Sequence, residues 1–295
     1  MSREWFVIVN PGAGRAHEIL DRASRALIAT AVGHRIEEST AAEHVAELVE
    51  QGIGAGYRDF VAVGGDGTAH LVLNGLMAAG LEEAPTLAIL PSGSGSDFIK
   101  TFALPSDMEG AALHLTTDDR YLSDVGLITG SFGRRYFLNA ANIGLTAASV
   151  DRALRLPDWL GAIRYTAGFW LELPRFGKDD VVIKVDRHEL ASQLLTVVVA
   201  NGQFFGGGLN IAPRASVQDG VFDVQCFAGP RRNALTVMPR VARGAHLTHR
   251  AVRRYVGKEI DIDVPPTWPV EADGELLGRG SVHISVVPGA IEFKI

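Results

Sequence analysis

Short apolar runs alternate with longer amphipathic stretches through the first half of the chain. Runs of four or five mostly apolar residues predict buried strands, because the strands of a parallel sheet are covered on both faces. The stretches between them have the period of a helix. The pattern places strands at residues 5–9, 34–38, 60–63, 86–90 and 121–125, and helices at 17–31, 42–51, 69–79 and 108–116. This order predicts a Rossmann-like, doubly wound α/β domain over residues 1–125.

The periodicity changes after Gly126, where short strands separated by Gly and Pro turns begin to dominate. Such spacing predicts a β-sandwich. Strands are expected at 127–129, 136–140, 181–185, 194–200, 221–227, 259–264, 270–272 and 282–287, with helices at 157–176 and 233–248. The second domain therefore spans residues 126–287. The last strand, from about residue 288 to residue 295, is expected to pack back on the first domain.

The two helices of the second half each carry a feature with two interpretations. An apolar stripe runs along 157–176 and includes Trp159, Ile163, Trp170 and Leu173. Packing in the core is the favoured interpretation, and contact with a lipid membrane is the alternative. The helix at 233–248 lies within the basic cluster of the chain, which predicts either a solvated face or attraction to anionic lipid head groups.

Three loops rich in glycine and hydroxyl side chains follow strands of the first half, at residues 10–15, 64–68 and 92–97. Ligands of doubly wound sheets bind outside the carboxyl ends of the strands. Glycine lets the backbone approach a ligand closely, and amide and hydroxyl donors suit phosphate. The phosphate loop Gly-x-x-x-x-Gly-Lys-Ser/Thr and a Gly-x-Gly-x-x-Gly after the first strand are both missing from the sequence. The predicted ligand-binding residues are Asn10, Gly12, Gly14, Arg15, Gly64, Gly65, Asp66, Gly67, Thr68, Ser92, Gly93 and Ser94.

Several polar side chains at or near the predicted strand ends have alternative roles. Asp66, Asp97 and Asp124 suggest either a magnesium site or pairing with Arg15. A helix cap is the alternative for Asp97 and a turn for Asp124. Ser39 and Thr40 are predicted to cap the helix at 42–51, since their hydroxyl groups can accept hydrogen bonds from its first amides.

Two acidic turns stand out in the second half. Asp219-Gly220 precedes a strand and could bind a hard cation, although ordinary Asp-Gly turns are commoner. Asp273-Gly274-Glu275 has the pattern of a hairpin turn. It also offers a carboxylate base beside a second carboxylate, which phosphoryl transfer to a hydroxyl group requires together with magnesium.

Composition narrows the function classes. The 295 residues are 47% apolar, and the net charge of −6 disfavours a nucleic-acid-binding protein. The single cysteine, Cys226, is expected to be a buried apolar residue in a reducing compartment. No apolar run reaches the roughly 20 residues that span a bilayer, and the first residues lack a secretory pattern. We therefore expect a cytoplasmic protein that at most touches the inner face of the membrane.

Taken together, these motifs resemble the diacylglycerol kinase catalytic-domain and sphingosine kinase superfamily, particularly its soluble bacterial lipid kinases. The resemblance runs from residue 5 to about residue 290. It is carried by the motifs Asn10–Gly14, Gly64–Thr68, Pro91–Phe98, Asn201–Gly208, Ala212–Ala215, Asp219–Val224 and Glu271–Glu275.

The resemblance implies ATP-dependent phosphorylation of a hydroxyl group on a lipid of the diacylglycerol or sphingoid kind. It implies that Asp273 is the general base and that Glu275 assists. Ser39 or Thr40 would supply a hydroxyl group to the nucleotide pocket formed by the three loops. Magnesium and water would be held by Asp66, Asp97 and Asp124, and a structural magnesium ion by Asp219 with the backbone carbonyls of Ser216 and Val221.

The sequence departs from the family pattern just after Thr68, where Asn-Glu is common and His70-Leu71 stands here. This departure bears on nucleotide preference. Two other functions remain open: a kinase of the same superfamily for a soluble acceptor such as a nucleotide or a diol, and a non-catalytic nucleotide or lipid sensor. Exposed strand edges in the sandwich permit a homodimer without requiring one.

Overall fold

The computed structural model describes residues 4–10, 16–92, 96–161 and 163–295. The chain forms two compact units, one made of Met1–Ser123 with Gly289–Ile295 and the other of Asp124–Pro288. The elements of the first unit are β1 (Glu4–Val9), α1 (Ala16–Ala29), β2 (Gly33–Glu38), α2 (Ala42–Gly54), β3 (Asp59–Gly64), α3 (Asp66–Ala78), β4 (Thr86–Pro91), a 3-10 helix (Phe98–Phe102), α4 (Met108–His114) and the start of β5 (Arg120–Gly130).

The first unit is a parallel sheet in the order β2-β1-β3-β4. Val7 and Val9 of β1 belong to the core that α1 and α4 cover. On the opposite face α2 packs so closely that a Cβ on Gly52 would lie 2.8 Å from the ring of Phe60 and 3.0 Å from that of Phe6. Helices therefore cover both faces, and the predicted doubly wound α/β fold is confirmed.

The last residues of the chain extend this sheet. Glu292 and Phe293 pair in parallel with Thr86 and Leu87 of β4. β1, β3 and β4 run in the same direction, so their carboxyl ends lie at one edge. The strand ends at Val9, Gly64 and Pro91 place the described starts of the three predicted loops, Asn10, Gly65 and Ser92, at that edge.

The second unit contains the remaining strands and helices. In chain order they are β6 (Gly133–Phe137), β7 (Ala140–Gly144), α5 (Leu145–Leu154), a 3-10 helix (Asp158–Leu160), α6 (Ile163–Glu172), β8 (Asp179–Val185), β9 (His188–Ala200), β10 (Phe204–Phe205), β11 (Leu209–Asn210), β12 (Phe222–Ala228), a 3-10 helix (Arg231–Asn233), α7 (Ala234–Val241), a 3-10 helix (His246–Thr248), β13 (Val252–Gly257), β14 (Glu259–Asp263), β15 (Pro269–Ala272), β16 (Glu275–Arg279) and β17 (Val282–Lys294).

The strands of the second unit form the predicted β-sandwich. β13, β12, β9, β7, β15 and β16 pair in that order, all antiparallel. The first half of β9 instead pairs with β8, which continues to β14 and β17. The long strand β9 therefore belongs to both layers. The core between them includes Ile183, Ile260 and Ile284 from one layer and Val197 and Val224 from the other.

Several element boundaries differ from the predicted ones. β5 runs without a break through the two strands expected at 121–125 and 127–129. β17 likewise joins the strands expected at 282–287 and at about 288–295. The helix expected over 157–176 is only Ile163–Glu172, and α5, β13 and β16 were not predicted. Pro288 and Gly289 are residue types typical of a turn, yet β17 continues through them. The first residues of β17 pair with β14 and its last residues pair with β4, so both ends stay extended.

None of the helices within the described part of the chain is long and apolar enough to cross a membrane.

Candidate active site

The turn between β3 and α3 is built around Gly64 and Thr68. A Cβ on Gly64 would lie 2.1 Å from Thr68 Oγ1 and 2.6 Å from Thr68 Cβ, so only glycine fits beneath this threonine. α3 begins after Gly65 without a side-chain cap among the described residues. The first amides of a helix have no partner within it, and they carry the positive end of the helix dipole. This turn can therefore hold an anion, as the sequence predicts for Gly64, Gly65, Gly67 and Thr68.

Asp66 organises the neighbouring loop. Its carboxylate accepts hydrogen bonds from the backbone N–H of Asp97 at 2.8 Å and of Phe98 at 3.3 Å. Asp97 is only 3% exposed, and Lys100 Nζ donates to its carboxylate at 2.6 Å. Within the described chain, Asp97 makes no cap bond to the helix Phe98–Phe102, so the capping alternative is wrong. The lysine three residues later neutralises its charge instead.

Backbone hydrogen bonds hold the three loop starts together. The N–H of Asn10 donates to the carbonyl of Val63 at 3.2 Å, and that of Ser92 to the carbonyl of Gly64 at 3.1 Å. Ser39 follows β2, and its N–H donates to the carbonyl of Val9 at 2.8 Å. Asn10, Ser39 and Ser92 thus lie at the same sheet edge as Gly64.

The structure distinguishes Ser39 from Thr40, which the sequence offered as alternative hydroxyl groups for the nucleotide pocket. Ser39 Oγ is buried and has no hydrogen-bond partner among the described residues. Thr40 is exposed, and its hydroxyl lies 3.2 Å from His44 Nδ1. Neither side chain caps α2, because Ala41 occupies the cap position, so the predicted capping role is wrong. Of the two, Ser39 has the hydroxyl group without a partner among the described residues. Gly12, Gly14, Arg15, Gly93 and Ser94 lie outside the described residues.

The acidic hairpin that joins β15 to β16 belongs to the second unit. Its two turn residues, Asp273 and Gly274, have φ angles of +50° and +91°, the left-handed pair that a two-residue hairpin requires. Asp273 is 8% exposed. Its carboxylate accepts three backbone N–H bonds, from Leu138 at 2.7 Å, Asn139 at 2.9 Å and Ala140 at 3.2 Å. These amides fix the position and orientation of the predicted base.

The two other acids of this hairpin have opposite environments. Glu275 opens β16 and is exposed. Glu271 is 2% exposed, and it accepts hydrogen bonds from Asn142 Nδ2 at 2.6 Å and from the N–H of Gly274. Burial raises the pKa of Glu271 from 4.5 to about 8. Sequence reasoning missed Glu271, although an acid inside a short apolar strand was a usable signal.

Asp124 and Asp219 lie close enough in the second unit for their charges to interact. Asp124 lies inside β5 and accepts a hydrogen bond from the N–H of Gly220 at 2.7 Å. The turn alternative for Asp124 is therefore wrong. Asp219 is exposed and accepts from the N–H of Val221 at 3.2 Å. Partial desolvation raises its pKa, and the negative charges of Asp124 and Asp223 add to the effect. Ser216 and Val221, predicted to supply carbonyl oxygens, flank Asp219 in the same loop.

The described side chains were compared with the arrangement that a metal ion needs. Over the described residues, no group of three or more His, Cys, Asp or Glu side chains is arranged to hold a metal ion. Asp66 and Asp97 belong to the first unit and already bind backbone amides and a lysine, whereas Asp124 belongs to the second. The predicted magnesium ligands therefore remain a prediction.

An apolar pocket lies on the outer face of the sandwich, under α5, α6 and α7. Its cavity volume is about 80 Å³, and the figure rises to about 840 Å³ only when open solvent around it is included. Leu145, Phe169, Leu195, Phe227 and Val237 contribute to its walls. The sequence did not predict this pocket, because its lining comes from segments between residues 145 and 251.

One wall of this pocket is linked to the acidic hairpin through hydrogen bonds of Asn139. The backbone N–H of Asn139 donates to Asp273, and its side-chain Nδ2 donates to the carbonyl of Phe204. Phe204 opens the β10–β11 hairpin, of which Phe205, Gly206 and Leu209 line the pocket. The fold thus links the carboxylate of Asp273 to one wall of an apolar pocket within the second unit.

Comparison with known families supports both halves of the chain. Residues 4–128 match the family model described as the diacylglycerol kinase catalytic domain. Residues 139–294, more than half of the chain, match the model described as the YegS C-terminal NAD kinase beta sandwich-like domain. The chain belongs to the diacylglycerol kinase family. Enzymes of this family are kinases with an alcohol acceptor, so the predicted family and enzyme class are confirmed.

Individual family members are similar along most of their length. The "Probable lipid kinase YegS-like" of Pseudomonas aeruginosa is 30% identical over 84% of this chain and 80% of its own. The "Diacylglycerol kinase" of Bacillus subtilis is 29% identical over 76% of this chain and 74% of its own. The crystal structure of a diacylglycerol kinase from Bacillus anthracis superposes with a TM-score of 0.74 at 22% identity, covering 99% of this chain and 96% of that one, and shows the shared fold.

Proposed function

We propose that this member of the diacylglycerol kinase family transfers the γ-phosphate of ATP to a hydroxyl group of a lipid of the diacylglycerol or sphingoid kind. The observation that carries the proposal is the apolar pocket whose β10–β11 wall is linked, through Asn139, to the anchored carboxylate of Asp273. Small-molecule sites are mostly apolar with a few placed polar groups, and this pocket has that composition.

The pocket suits the apolar chain of an acceptor. Burying a chain stabilises the complex by about 0.8 kcal/mol for each CH2 group removed from water. Thr146 and Thr196 lie in the pocket wall, but their hydroxyl groups bond to each other at 2.6 Å and so leave the wall apolar. A soluble diol would leave most of this surface unfilled, which favours a lipid over a soluble acceptor.

Asp273 is proposed as the group that accepts the proton of the acceptor hydroxyl. Phosphoryl transfer depends mostly on positioning and charge stabilisation, and a fixed carboxylate orients the attacking oxygen. The three amides of residues 138–140 hold Asp273 in place for this role. The exposed Glu275, two residues later, would assist by accepting hydrogen bonds from the acceptor head group.

The first unit is proposed to hold the nucleotide. The residues present fit a polyphosphate, because Gly64 lets Thr68 pack tightly against the turn and the first turn of α3 presents amide donors. The buried hydroxyl of Ser39, without a partner among the described residues, supplies one more donor. Asn10, Asp66 and Ser92 are the other described residues of the proposed nucleotide site. The sequence adds Gly12, Gly14, Arg15, Gly93 and Ser94 to it, and these lie outside the described residues.

Magnesium is proposed to accompany the nucleotide and to neutralise charge on its phosphate oxygens. Mg²⁺ keeps several waters and needs only one or two protein carboxylates besides phosphate, so Asp66, Asp97 or Asp124 would suffice without a preformed cluster. A separate structural ion at Asp219, with the carbonyls of Ser216 and Val221, is proposed on the same chemistry. The nucleotide preference is proposed to depend on His70, buried in α3 where the family pattern has Asn.

The membrane is the proposed source of the acceptor, with the enzyme cytoplasmic and peripheral at the inner face. A homodimer stays a prediction from sequence.

Labelled ATP and a panel of acceptors test this function. Wild-type enzyme is expected to label long-chain diacylglycerol or a sphingoid base in mixed micelles, and not glycerol or nucleosides. Ala234 lines the pocket, and Ala234→Trp is expected to reduce labelling of long-chain acceptors at least tenfold while short-chain acceptors retain more activity. Ala242→Trp at the exposed end of the same helix is the matched control. Labelling of soluble alcohols alone would refute the proposal.

A further inference from the structure

β15 carries a buried acid, Glu271, two residues before the proposed base Asp273. Val270 and Ala272 belong to the core between the two layers of the sandwich. Side chains alternate along a strand, so Glu271 projects from the opposite face, on which α5 packs. It is 2% exposed. Carboxyl groups are almost never fully buried unless they are paired, so this position needs an explanation beyond packing.

The two oxygens of Glu271 tie the hairpin turn to β7. Oε1 accepts a hydrogen bond from the N–H of Gly274, the second turn residue, and Oε2 accepts from Asn142 Nδ2 at 2.6 Å. Asn142 lies directly opposite Glu271 in the β7–β15 pair. β7 begins with Ala140, whose N–H donates to the Asp273 carboxylate and whose carbonyl accepts from the N–H of Asp273 at 3.1 Å. Glu271 therefore fixes the turn against the strand whose first residue holds the base.

The charged groups of the turn around Glu271 are negative. Burial raises the pKa of Glu271 from 4.5 to about 8, and the charges of Asp273 and Glu275 add to the effect. The hydrogen bonds from Gly274 and Asn142 lower the pKa but do not outweigh burial. The carboxyl group is therefore mostly uncharged at neutral pH.

Among the described residues, no cation pairs with Glu271. β7 contains no charged residue. Arg279, at the far end of β16, lies opposite Pro269 and donates to a backbone carbonyl. On α5, Arg152 and Arg155 pair with acidic residues of α6 and of α5 itself. An ionised Glu271 would therefore be a buried charge without a counter-ion, which is costly because its hydration is lost.

We propose that Glu271, in its uncharged form, is a positioning residue that holds the turn of Asp273 in the geometry for proton transfer from the acceptor. The uncharged carboxyl group accepts from Gly274 and donates its proton to the amide oxygen of Asn142, which needs only a half-turn of that amide group. Loss of the proton adds a third negative charge to the turn, and hydration of this charge draws the turn away from β7. The inference rests on the proposed role of Asp273 as the base.

The dependence of kcat on pH tests the proposal. Transfer of label from ATP to diacylglycerol in mixed micelles is measured between pH 6 and pH 9.5 for wild type, Glu271→Gln and Glu271→Ala. Because the pKa of Glu271 is about 8, wild-type kcat is expected to fall above this pH, approaching about tenfold per pH unit. Glutamine mimics the protonated acid at every pH. Glu271→Gln is therefore expected to keep the wild-type kcat at pH 7 and most of it at pH 9.

The alanine variant separates positioning from binding. Glu271→Ala leaves the turn without its anchor, and the misplaced base is expected to cost roughly 10- to 100-fold in kcat at every pH. The KM for ATP is expected not to change, since the proposed nucleotide site lies in the first unit. Glu189→Gln, at an exposed acid of β9, is the matched control and is expected to keep the wild-type pH profile. Thermal unfolding at each pH shows that the compared proteins are folded.

Amide NMR of the turn gives a readout that does not depend on catalysis. The amide chemical shifts of Asp273 and Gly274 are expected to titrate in the wild type with the pKa of Glu271, about 8, and to lose this transition in Glu271→Gln.

Three results would overturn the positioning role. They are amide shifts that do not titrate in the wild type, an unchanged alkaline fall of kcat in Glu271→Gln, and a wild-type kcat in Glu271→Ala. A wild-type protein that labels no alcohol refutes the proposed function instead, and the NMR titration then decides whether Glu271 controls the turn.

Discussion

At the residue scale, Asp273 shows how the fold fixes the position of a single carboxylate. A left-handed φ of +50° turns the chain back at this residue, and the three amides of residues 138–140 hold its side chain. The spacing Asp-Gly-Glu predicted a hairpin and a carboxylate pair. It could not predict the amides, because these come from a segment more than 130 residues earlier in the chain.

Glu271 gives a pH-dependent prediction at the same scale. Burial raises its pKa from 4.5 to about 8, so the folded state holds a proton that the unfolded chain releases. Its stabilising contribution is complete below about pH 4.5 and is lost as the pH rises through about 8. Relative to Glu271→Gln, the free energy of unfolding of the wild type should fall by at most about 1.4 kcal/mol per pH unit across this range.

Urea unfolding of both proteins between pH 5 and pH 8.5 measures this difference. Glutamine is neutral at every pH and keeps an amide oxygen as an acceptor, so it is the reference. Parallel stability curves would show that Glu271 does not take up a proton on folding.

At the scale of the element, the turn from β3 to α3 depends on glycine at position 64. Gly64→Ala would push a methyl group into Thr68, and we expect it to destabilise the first unit by about 1–3 kcal/mol and to weaken nucleotide binding. Gly54→Ala, at the end of α2 with no atom within 4 Å of the added Cβ, is the control. Calorimetric titration with a non-hydrolysable ATP analogue measures the binding. Unchanged affinity in a folded Gly64→Ala protein would place the phosphates elsewhere.

The buried strands of the first unit were the easiest elements to predict. β1 and β3 are continuous apolar runs buried on both faces, and their local pattern alone identifies them. α5 follows β7 directly after Gly144, whose φ is +92°, so no polar loop marks the start of this helix in the sequence. The core-packing interpretation of the stripe on 157–176 is wrong at Trp159 and Ile163, which are exposed, whereas Leu173 is buried. A sequence shows which face is apolar but not whether anything covers it.

At the scale of the whole molecule, the end of the chain completes the first unit. Phe293 is fully buried, with its ring 4.8 Å from the rings of both Phe98 and Phe102. Phe293→Ala is therefore expected to cost about 3–5 kcal/mol of stability. Leu113→Ala, at an exposed leucine, should cost far less. Urea unfolding measures both, and similar costs would mean that the tail contributes little.

The long-range parts of the candidate site could not be predicted. Local signals identified the glycine turn, Asp273 and the family, because each depends on neighbouring residues. The apolar pocket and the bridge from Asp273 through Asn139 to Phe204 combine segments from across the second unit, and only the fold brings them together.

The central claim is that Asp273 promotes transfer of phosphate from ATP to a lipid hydroxyl group. The most direct measurement is the initial rate of label transfer from [γ-32P]ATP to diacylglycerol in mixed micelles by wild-type enzyme and by Asp273→Asn. Asparagine places an NH2 group where backbone donors point, so thermal unfolding must first show that the variant is folded. The account predicts labelled lipid from the wild type and a rate lower by roughly 10²–10⁴-fold in the variant. Equal rates in the two proteins, or no lipid labelled by the wild type, would contradict it.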